Sequence, residues 1–88
     1  MKDMKICFVY VLGNRDDTNK ARTYVGWTTN LERRVNEHNS GVGARSTRGR
    51  EWRLIYAEMY TDRREAMRRE WYLKRDKKMR NKLRTCVI

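Results

Sequence analysis

The sequence contains no proline, only two cysteines and a single histidine in 88 residues. Cys7 and Cys86 lie near opposite ends without the close spacing of a zinc site, so we expect reduced thiols in a cytoplasmic protein, with a disulfide left open. The apolar run at 6–12 is too short to cross a bilayer and has no cleavage site after it, which predicts a strand. These absences argue against a zinc module and against a membrane-spanning protein.

Acidic residues are also scarce relative to basic ones. The chain has 22 lysines and arginines against 11 aspartates and glutamates, a net charge of +11. Residues 45–84 carry 15 of the basic and 6 of the acidic residues, so the C-terminal half holds most of the excess. This imbalance indicates a polyanionic partner, nucleic acid first and an acidic membrane surface second, with a merely solubilising surface as the alternative.

Hydrophobic patterning predicts a small α+β protein, a single domain over residues 1–88 with the element order β-β-α-β-α-α. Capping pairs formed by Thr29 with Glu32 and by Asp62 with Glu65 begin two of the helices. The first two strands are close in sequence, which favours an antiparallel hairpin. The predicted strands are 6–13, 21–28 and 51–60; the predicted helices are 30–40, about 62–75 and 77–84; and 40–50 is a loop. Alternation in the third strand predicts that the side chains on one of its faces are Trp52, Leu54, Tyr56 and Glu58.

The first helix carries two polar residues beside its apolar stripe. Leu31 and Val35 form the stripe, and Arg34 and His38, four residues apart, share an adjoining face. The alternative is that neither residue is functional. Arg34 would then pack its aliphatic stem on the core and extend its guanidinium to water, and His38 would be a hydrogen-bonded structural residue.

The second helix has a carboxylate within its apolar stripe, where Glu70 lies between Ala66 and Leu73. A carboxylate at such a position should be paired or should bind a metal. No second acid stands close to it in sequence, which favours one metal ion over two. An ion pair with a neighbouring cation is the alternative, the candidates being Arg68, Arg69, Lys74 and Arg75. The competing carboxylates are Glu37, Glu58 and Asp62.

Two tyrosines, Tyr10 and Tyr24, lie in the first two strands. The pKa of a free phenol is about 10. A nearby arginine or metal ion can lower that pKa and make the phenol a usable proton acceptor. Packing is the alternative role for each tyrosine. Gly26 weakens its strand and indicates a bulge or the close approach of another backbone.

The order of these residues is more specific than any one of them. The tripeptides FVY at 8–10 and YVG at 24–26 are followed by Arg34 and His38, and then by Glu70 on a later helix. This pattern resembles the GIY-YIG nuclease family, and in particular its small stand-alone bacterial branch, over residues 6 to about 80. Phe8 departs from the motif because the motif name has glycine at that position.

The resemblance implies a three-stranded antiparallel sheet flanked by helices, and metal-dependent hydrolysis of DNA phosphodiester bonds with one Mg²⁺ or Mn²⁺ ion. By position, Tyr10 and Tyr24 match the motif tyrosines, and Arg34 matches the catalytic arginine. Glu70 matches the metal-binding glutamate and His38 a supporting histidine. Arg34 would stabilise charge on the phosphate, while a tyrosine helped by His38 would take a proton from water, with the choice of tyrosine left open.

The substrate implied is DNA, cut in a structure-specific or weakly sequence-specific way during repair or recombination. Contacts to phosphates position DNA without reading its sequence, so binding should weaken steeply with salt. Trp27 and Trp71 are candidates for stacking on unpaired bases or for core packing. The predicted DNA contacts are Gly26, Arg45, Arg48, Arg50, Arg68, Arg69 and Lys74. The alternatives are a non-catalytic nucleic-acid-binding accessory module on the same fold and a small basic ribosome-associated protein. A protein partner for targeting is a further expectation.

Overall fold

The structure is a computed structural model that describes residues 6–15, 21–47 and 51–85. Its elements follow the predicted order and confirm the α+β class. They are β1 (Cys7–Arg15), β2 (Ala21–Thr28), α1 (Leu31–Asn39), β3 (Arg53–Tyr60), α2 (Arg63–Arg75) and α3 (Lys77–Arg84). A single 3₁₀ turn, Arg45–Thr47, lies inside the predicted loop. Cys7 is a buried free thiol, whereas Cys86 lies outside the described residues.

The sheet is antiparallel with strand order β2-β1-β3, which confirms the predicted three-stranded arrangement. β1 is central, and its register against β2 places Tyr10 opposite Gly26. Val9, Val11 and Leu12 are fully buried because β1 has a neighbour on each side and packed side chains on both faces. Within the described ranges, no helix has the length and apolarity needed to cross a membrane.

Successive side chains of β1 enter two separate hydrophobic clusters, because a strand presents alternate residues to opposite faces. The larger cluster lies between the sheet and the helices α2 and α3. Its buried members are Cys7, Val9, Val11, Val25, Ala66, Leu73 and Leu83. The smaller cluster consists of Tyr10, Leu12 and Trp52, against which Leu31 and Val35 of α1 pack. The two faces of one strand therefore support different parts of the molecule.

One prediction for β3 is wrong. A register shift in its pairing with β1 leaves Ile55 as an extra residue between Leu54 and Tyr56. Trp52 consequently packs in the smaller cluster, whereas Tyr56 packs against the larger one. The common face predicted for Trp52, Leu54, Tyr56 and Glu58 fails because strict alternation holds only along a strand without a bulge.

Side-chain caps fix where the helices begin. The carboxylate of Asp62 accepts a hydrogen bond from the backbone N–H of Arg64 at 2.9 Å, which confirms Asp62 as the cap of α2. The cap of α1 is Asn30, whose side-chain oxygen accepts from the backbone N–H of Arg33 at 3.1 Å. The prediction of Thr29 is therefore off by one residue, since either side chain can cap and the helix begins one position later.

Glu58 ties β3 to α2 beside the larger cluster. Its carboxylate accepts two hydrogen bonds from the Arg69 guanidinium, at 2.8 and 3.0 Å. It also accepts one from the hydroxyl of Tyr60 at 2.6 Å and one from the hydroxyl of Tyr56. Chiefly because of Arg69, the pKa of the Glu58 carboxyl falls to about 2. The Arg69 guanidinium is bound to Glu58 in this structure, and the prediction that Arg69 contacts DNA stays a prediction.

Candidate active site

A buried hydrogen bond joins the first strand to the last turn of the first helix. The hydroxyl oxygen of Tyr10 lies 2.9 Å from Nε2 of His38, although the two residues are 28 positions apart. Both side chains are almost completely buried. Among the described side chains of α1, His38 alone is fully buried, so the prediction that it only borders the apolar stripe understates its position.

The end of α1 turns the chain back over the imidazole. Gly41 has φ 86°, and the backbone N–H groups of Val42 and Gly41 donate to the carbonyls of Glu37 and His38, at 3.0 and 3.4 Å. The chain then passes so close to His38 that a Cβ on Gly43 would lie 2.5 Å from Nδ1. Gly41 ends the helix as predicted, and Gly43 gives the chain room to pass.

The 3₁₀ turn supplies the second hydrogen-bond partner of the imidazole. Thr47 Oγ1 lies 2.7 Å from His38 Nδ1, and the same hydroxyl donates to the carbonyl of Ala44 at 2.7 Å. The indole N–H of Trp52 donates to the Thr47 carbonyl at 3.0 Å. The amide of Asn39 binds the backbone N–H and C=O of Trp52, at 2.6 and 3.0 Å. The imidazole is thus held at Nδ1 by this braced loop and at Nε2 by Tyr10 of β1.

These supporting residues were not predicted as part of the site. Glycines in the 40–50 segment indicate a turn, but the sequence carries no signal for what that turn packs against. Thr47 is nine residues from His38 and outside any helical or strand period. Only a folded arrangement brings Gly43 and Thr47 onto the imidazole.

Tyr24 lies beside the hydrogen-bonded pair. Its ring centroid is 4.8 Å from that of His38 and 6.4 Å from that of Tyr10. Burial raises the pKa of Tyr24, and the positive charge of Arg34 opposes this. The two strand tyrosines therefore have different environments: Tyr10 is hydrogen-bonded to the imidazole, and Tyr24 packs against the imidazole ring.

Arg34 lies at the edge of these buried rings. Its guanidinium forms an ion pair with Glu37 at 3.0 Å, and its side chain is 31% exposed. Its charge lowers the pKa of both Tyr10 and Tyr24, so it is close to the two phenols. Arg34 therefore lies close enough to affect the buried phenols while it remains reachable from solvent.

Burial determines the protonation of the central pair. It raises the pKa of Tyr10 to about 12, and the hydrogen bond and charge of Arg34 offset only part of that rise. Arg34 thus lowers the pKa of this tyrosine as expected, but burial raises it by more. Burial, followed by the charge of Arg34, lowers the pKa of His38 below 6.5. At neutral pH the pair consists of a neutral phenol and a neutral imidazole.

Glu70 acts electrostatically on the two tyrosines from α2. Its carboxylate raises the pKa of Tyr10 and of Tyr24, so its negative charge is close to both phenols. Its side chain is 21% exposed and, in the described part of the chain, it forms one loose ion pair, with Lys74 Nζ at 3.8 Å. The structure brings Tyr10, Tyr24 and His38 together, with the charges of Arg34 and Glu70 acting on both phenols. The roles predicted for these five residues stay predictions.

The competing carboxylates are engaged elsewhere. Glu37 pairs with Arg34, Glu58 with Arg69, and Asp62 caps α2. Among the described residues, no group of three histidine, cysteine or acidic side chains could hold a metal ion. Glu70, partly exposed and weakly paired, suits a hydrated Mg²⁺ or Mn²⁺ that takes one protein carboxylate and completes its shell with water and phosphate oxygens.

Gly26 lies directly beneath the Tyr10 ring. A Cβ at this position would lie 2.5 Å from the phenol oxygen and 2.7 Å from the ring carbon that carries it. Glycine is therefore required by the packing of Tyr10. The prediction that Gly26 also lets DNA approach the strand stays a prediction.

The predicted DNA contacts are distributed unevenly. Arg45, Arg68 and Lys74 are exposed, while Arg48 and Arg50 lie outside the described residues. Trp27 packs against the larger cluster with the Arg63 guanidinium 5.5 Å from its ring centroid.

Trp71, by contrast, is exposed on α2. Its side chain is 51% exposed and contacts the ring of Tyr72 edge-on, with centroids 5.0 Å apart. The guanidinium carbon of Arg75 lies 3.7 Å from the centroid of the Trp71 ring. Of the two tryptophans predicted either to pack or to stack on bases, Trp27 packs against the core, and stacking by the exposed Trp71 stays a prediction.

Comparison with known proteins places these observations in a family. Residues 6–84 match the family model described as the GIY-YIG catalytic domain. A UPF0213 protein of Clostridium perfringens is 45% identical over 69 residues, which cover 77% of this chain and 70% of that protein. A UPF0213 protein of Natronomonas pharaonis is 46% identical over 68 residues, which cover 76% of this chain and 75% of that protein. The solution NMR structure of a UPF0213 protein from Bacillus halodurans is 32% identical, with a TM-score of 0.49 and coverage of 92% of this chain and 84% of the other.

Proposed function

Since the chain belongs to the GIY-YIG family of nucleases, we propose that it is an endonuclease that hydrolyses DNA phosphodiester bonds with one Mg²⁺ or Mn²⁺ ion. The observation that carries this proposal is the buried hydrogen bond from Tyr10 to His38, beside Arg34 and Glu70. A histidine that served only to pack the core would not require an arginine and a loosely paired carboxylate close to its tyrosine partner. Hydrolysis of a phosphodiester needs a proton acceptor, a fixed cation and a metal ligand, and we assign these roles to Tyr10 with His38, to Arg34 and to Glu70.

The proton acceptor is Tyr10 acting through His38. A phenol with a pKa of about 12 is not ionised at neutral pH, so it cannot act as a preformed phenolate. It can accept a proton from the attacking water while its own hydroxyl proton moves to Nε2 of His38, 2.9 Å away. The P–O bond to the leaving group then breaks, and the leaving oxygen is protonated from solvent. Burial lowers the pKa of His38, so the imidazole is neutral and Nε2 is available to accept before the reaction begins.

Arg34 stabilises the negative charge that develops on the phosphate. Its guanidinium is planar and can donate two hydrogen bonds to phosphate oxygens. Its side chain is 31% exposed and held by Glu37 from one side, so it is oriented before the substrate arrives. Such preorganised donors contribute more in a partly desolvated site than in water.

Glu70 would hold the metal ion. When bound, the ion supplies Lewis-acid stabilisation of the scissile phosphate and of the leaving oxygen. Lys74 lies 3.8 Å from the carboxylate, a separation at which metal binding displaces little direct interaction.

The substrate proposed is DNA with unpaired bases next to a duplex. The net charge of +11 provides attraction to the backbone without sequence preference. The exposed ring of Trp71 adds a stacking surface that only an unpaired base can use. A cytoplasmic location, a role in repair or recombination and a protein partner stay predictions.

The test is a cleavage assay on single-stranded, flap and duplex DNA with Mg²⁺, with Mn²⁺ and with a chelator. We expect cleavage of the flap in either metal and none in the chelator. Glu70→Gln should lower the rate by about 100-fold or more while DNA affinity stays within a few-fold. Glu65→Gln is the matched control, because Glu65 is an exposed glutamate in the first turn of the same helix.

Two results would contradict the proposal. Cleavage that survives Glu70→Gln unchanged would place the metal chemistry elsewhere. Salt-sensitive binding with no cleavage of any of the three substrates would favour the non-catalytic accessory module.

A further inference from the structure

Thr47 is a fully buried hydroxyl with two short contacts, and in the described part of the chain neither motif tyrosine nor Arg34 or Glu70 forms a hydrogen bond with it. Its oxygen lies 2.7 Å from the carbonyl oxygen of Ala44 and 2.7 Å from Nδ1 of His38. Its backbone N–H donates to the same Ala44 carbonyl at 3.0 Å. These distances determine where the protons of the cluster lie.

A threonine hydroxyl has one proton to donate and lone pairs with which to accept. Two oxygens 2.7 Å apart repel unless a proton lies between them, and a carbonyl has no proton to give. The Thr47 hydroxyl proton must therefore point at Ala44. The contact with His38 is then one in which the threonine oxygen accepts, so the proton is on Nδ1.

We propose that Thr47 is a positioning residue that holds neutral His38 in the tautomer protonated at Nδ1. In that tautomer Nε2 carries a lone pair, and the Tyr10 hydroxyl, 2.9 Å away, donates to it. In the opposite tautomer Nε2–H would donate to Tyr10, and the phenol could not pass its proton to the imidazole. This inference rests on the proposed function only for its consequence in catalysis, since the tautomer exists with or without a substrate.

The loop is built to keep this arrangement. Trp52 binds the Thr47 carbonyl through its indole N–H at 3.0 Å, and this fixes the turn from the side of β3. The backbone at Gly43 passes so close to the imidazole that a Cβ there would come within 2.5 Å of Nδ1. The Thr47 hydroxyl is thus held between one acceptor and one donor, with no freedom to reverse.

The first experiment reads the tautomer directly by long-range ¹H–¹⁵N NMR at pH 8. The chain has a single histidine, so the spectrum contains one imidazole. We expect Nδ1 to resonate as a protonated, pyrrole-type nitrogen and Nε2 as an unprotonated, pyridine-type nitrogen. A wild-type spectrum with the opposite assignment overturns the proposal without any activity measurement.

The second experiment changes the hydroxyl. Thr47→Val keeps the shape of the side chain and removes the acceptor, so the preference for Nδ1–H should be lost. Thr47→Ser keeps the hydroxyl and should restore the wild-type pattern. An unchanged tautomer in Thr47→Val, in a variant whose backbone amide spectrum shows the native fold, overturns the proposal.

Cleavage kinetics connect the tautomer to function. Thr47→Val should lower kcat on the order of 10- to 100-fold with little change in KM, since the relay and not substrate binding is altered. Thr47→Ser should recover most of that loss. Equal kcat in wild type and Thr47→Val overturns the positioning role. If the wild-type protein cleaves nothing, the proposed function fails while the NMR result still decides the tautomer.

Discussion

The hydroxyl of Tyr10 rests on Gly26, the residue that faces it across β1 and β2. Any Cβ on Gly26 would occupy the space of the phenol, because it would approach the ring carbon bearing the hydroxyl to 2.7 Å. The second strand of the sheet thus forms the floor of the site, and the position of the phenol depends on the absence of a side chain.

Gly26→Ala should therefore displace Tyr10 from His38. We expect a large loss of cleavage, an unfolding free energy lower by about 1–3 kcal/mol from overpacking, and DNA affinity close to wild type. Ala57→Ser is the matched control, because Ala57 faces Tyr10 from β3 and is exposed. Full activity in Gly26→Ala would show that the phenol does not need its observed position.

The two tyrosines should differ in their contribution to catalysis. Tyr10→Phe removes the hydroxyl that contacts His38 and should slow single-turnover cleavage by about 100-fold or more. Tyr24→Phe should have the smaller effect, because Tyr24 packs against the imidazole ring and this contact survives the change. A larger loss from Tyr24→Phe would transfer the proton-accepting role to that residue.

The lowered pKa of Glu58 predicts how the free energy of unfolding changes at acid pH. Its folded-state pKa of about 2 lies below the ordinary value of 4.5, because Arg69 and two tyrosine hydroxyls stabilise the carboxylate. A depressed pKa contributes stability that is fully present above about pH 4.5 and is lost as the pH falls towards 2. Urea unfolding between pH 7 and pH 2 should show this decline.

Glu58→Gln should remove that contribution. We expect it to lower the unfolding free energy at pH 7 by about 1–3 kcal/mol and to flatten the acid decline relative to wild type. Glu32→Gln, at an exposed glutamate of α1, is the control and should leave the profile unchanged. An acid decline of the same size in Glu58→Gln would show that other carboxyls cause it.

Trp71 should distinguish unpaired from paired DNA. Trp71→Ala should weaken binding of single-stranded and flap DNA by about 1–3 kcal/mol and leave duplex binding within a few-fold. Met67→Ala is the control, because Met67 is 47% exposed and lies one helical turn earlier on the same face. Equal losses on duplex and on unpaired DNA, measured at one salt concentration, would contradict stacking on a base.

The elements of this fold could be predicted from sequence because their signals are local. The β-branched run in β1, the helical spacing in α2 and the cap at Asp62 each depend on neighbouring residues. The choice between Thr29 and Asn30 as a cap could not be made this way, since both residues suit the position. The extra residue Ile55 also has no local signature, because a bulge is defined by the partner strand.

The candidate site was only partly predictable for a similar reason. The resemblance to a family located Tyr10, Arg34 and Glu70 in the sequence, but it carried no information on burial or on partners. Desolvation, which raises the pKa of Tyr10 to about 12, arises from packing around the residue. The contact between Thr47 and His38 depends on a loop that folds back onto a helix, and no periodic pattern encodes such a contact.

The division of β1 between two clusters limits how this strand can change its length. Inserting one amino acid near its start would exchange the faces of every residue beyond it, so that a valine would meet the imidazole and the phenol would enter the aliphatic layer beneath α2. Folding and chemistry would then be lost together. Length changes among homologous chains should accordingly fall between β1 and β2 or beyond α3, and not inside the central strand.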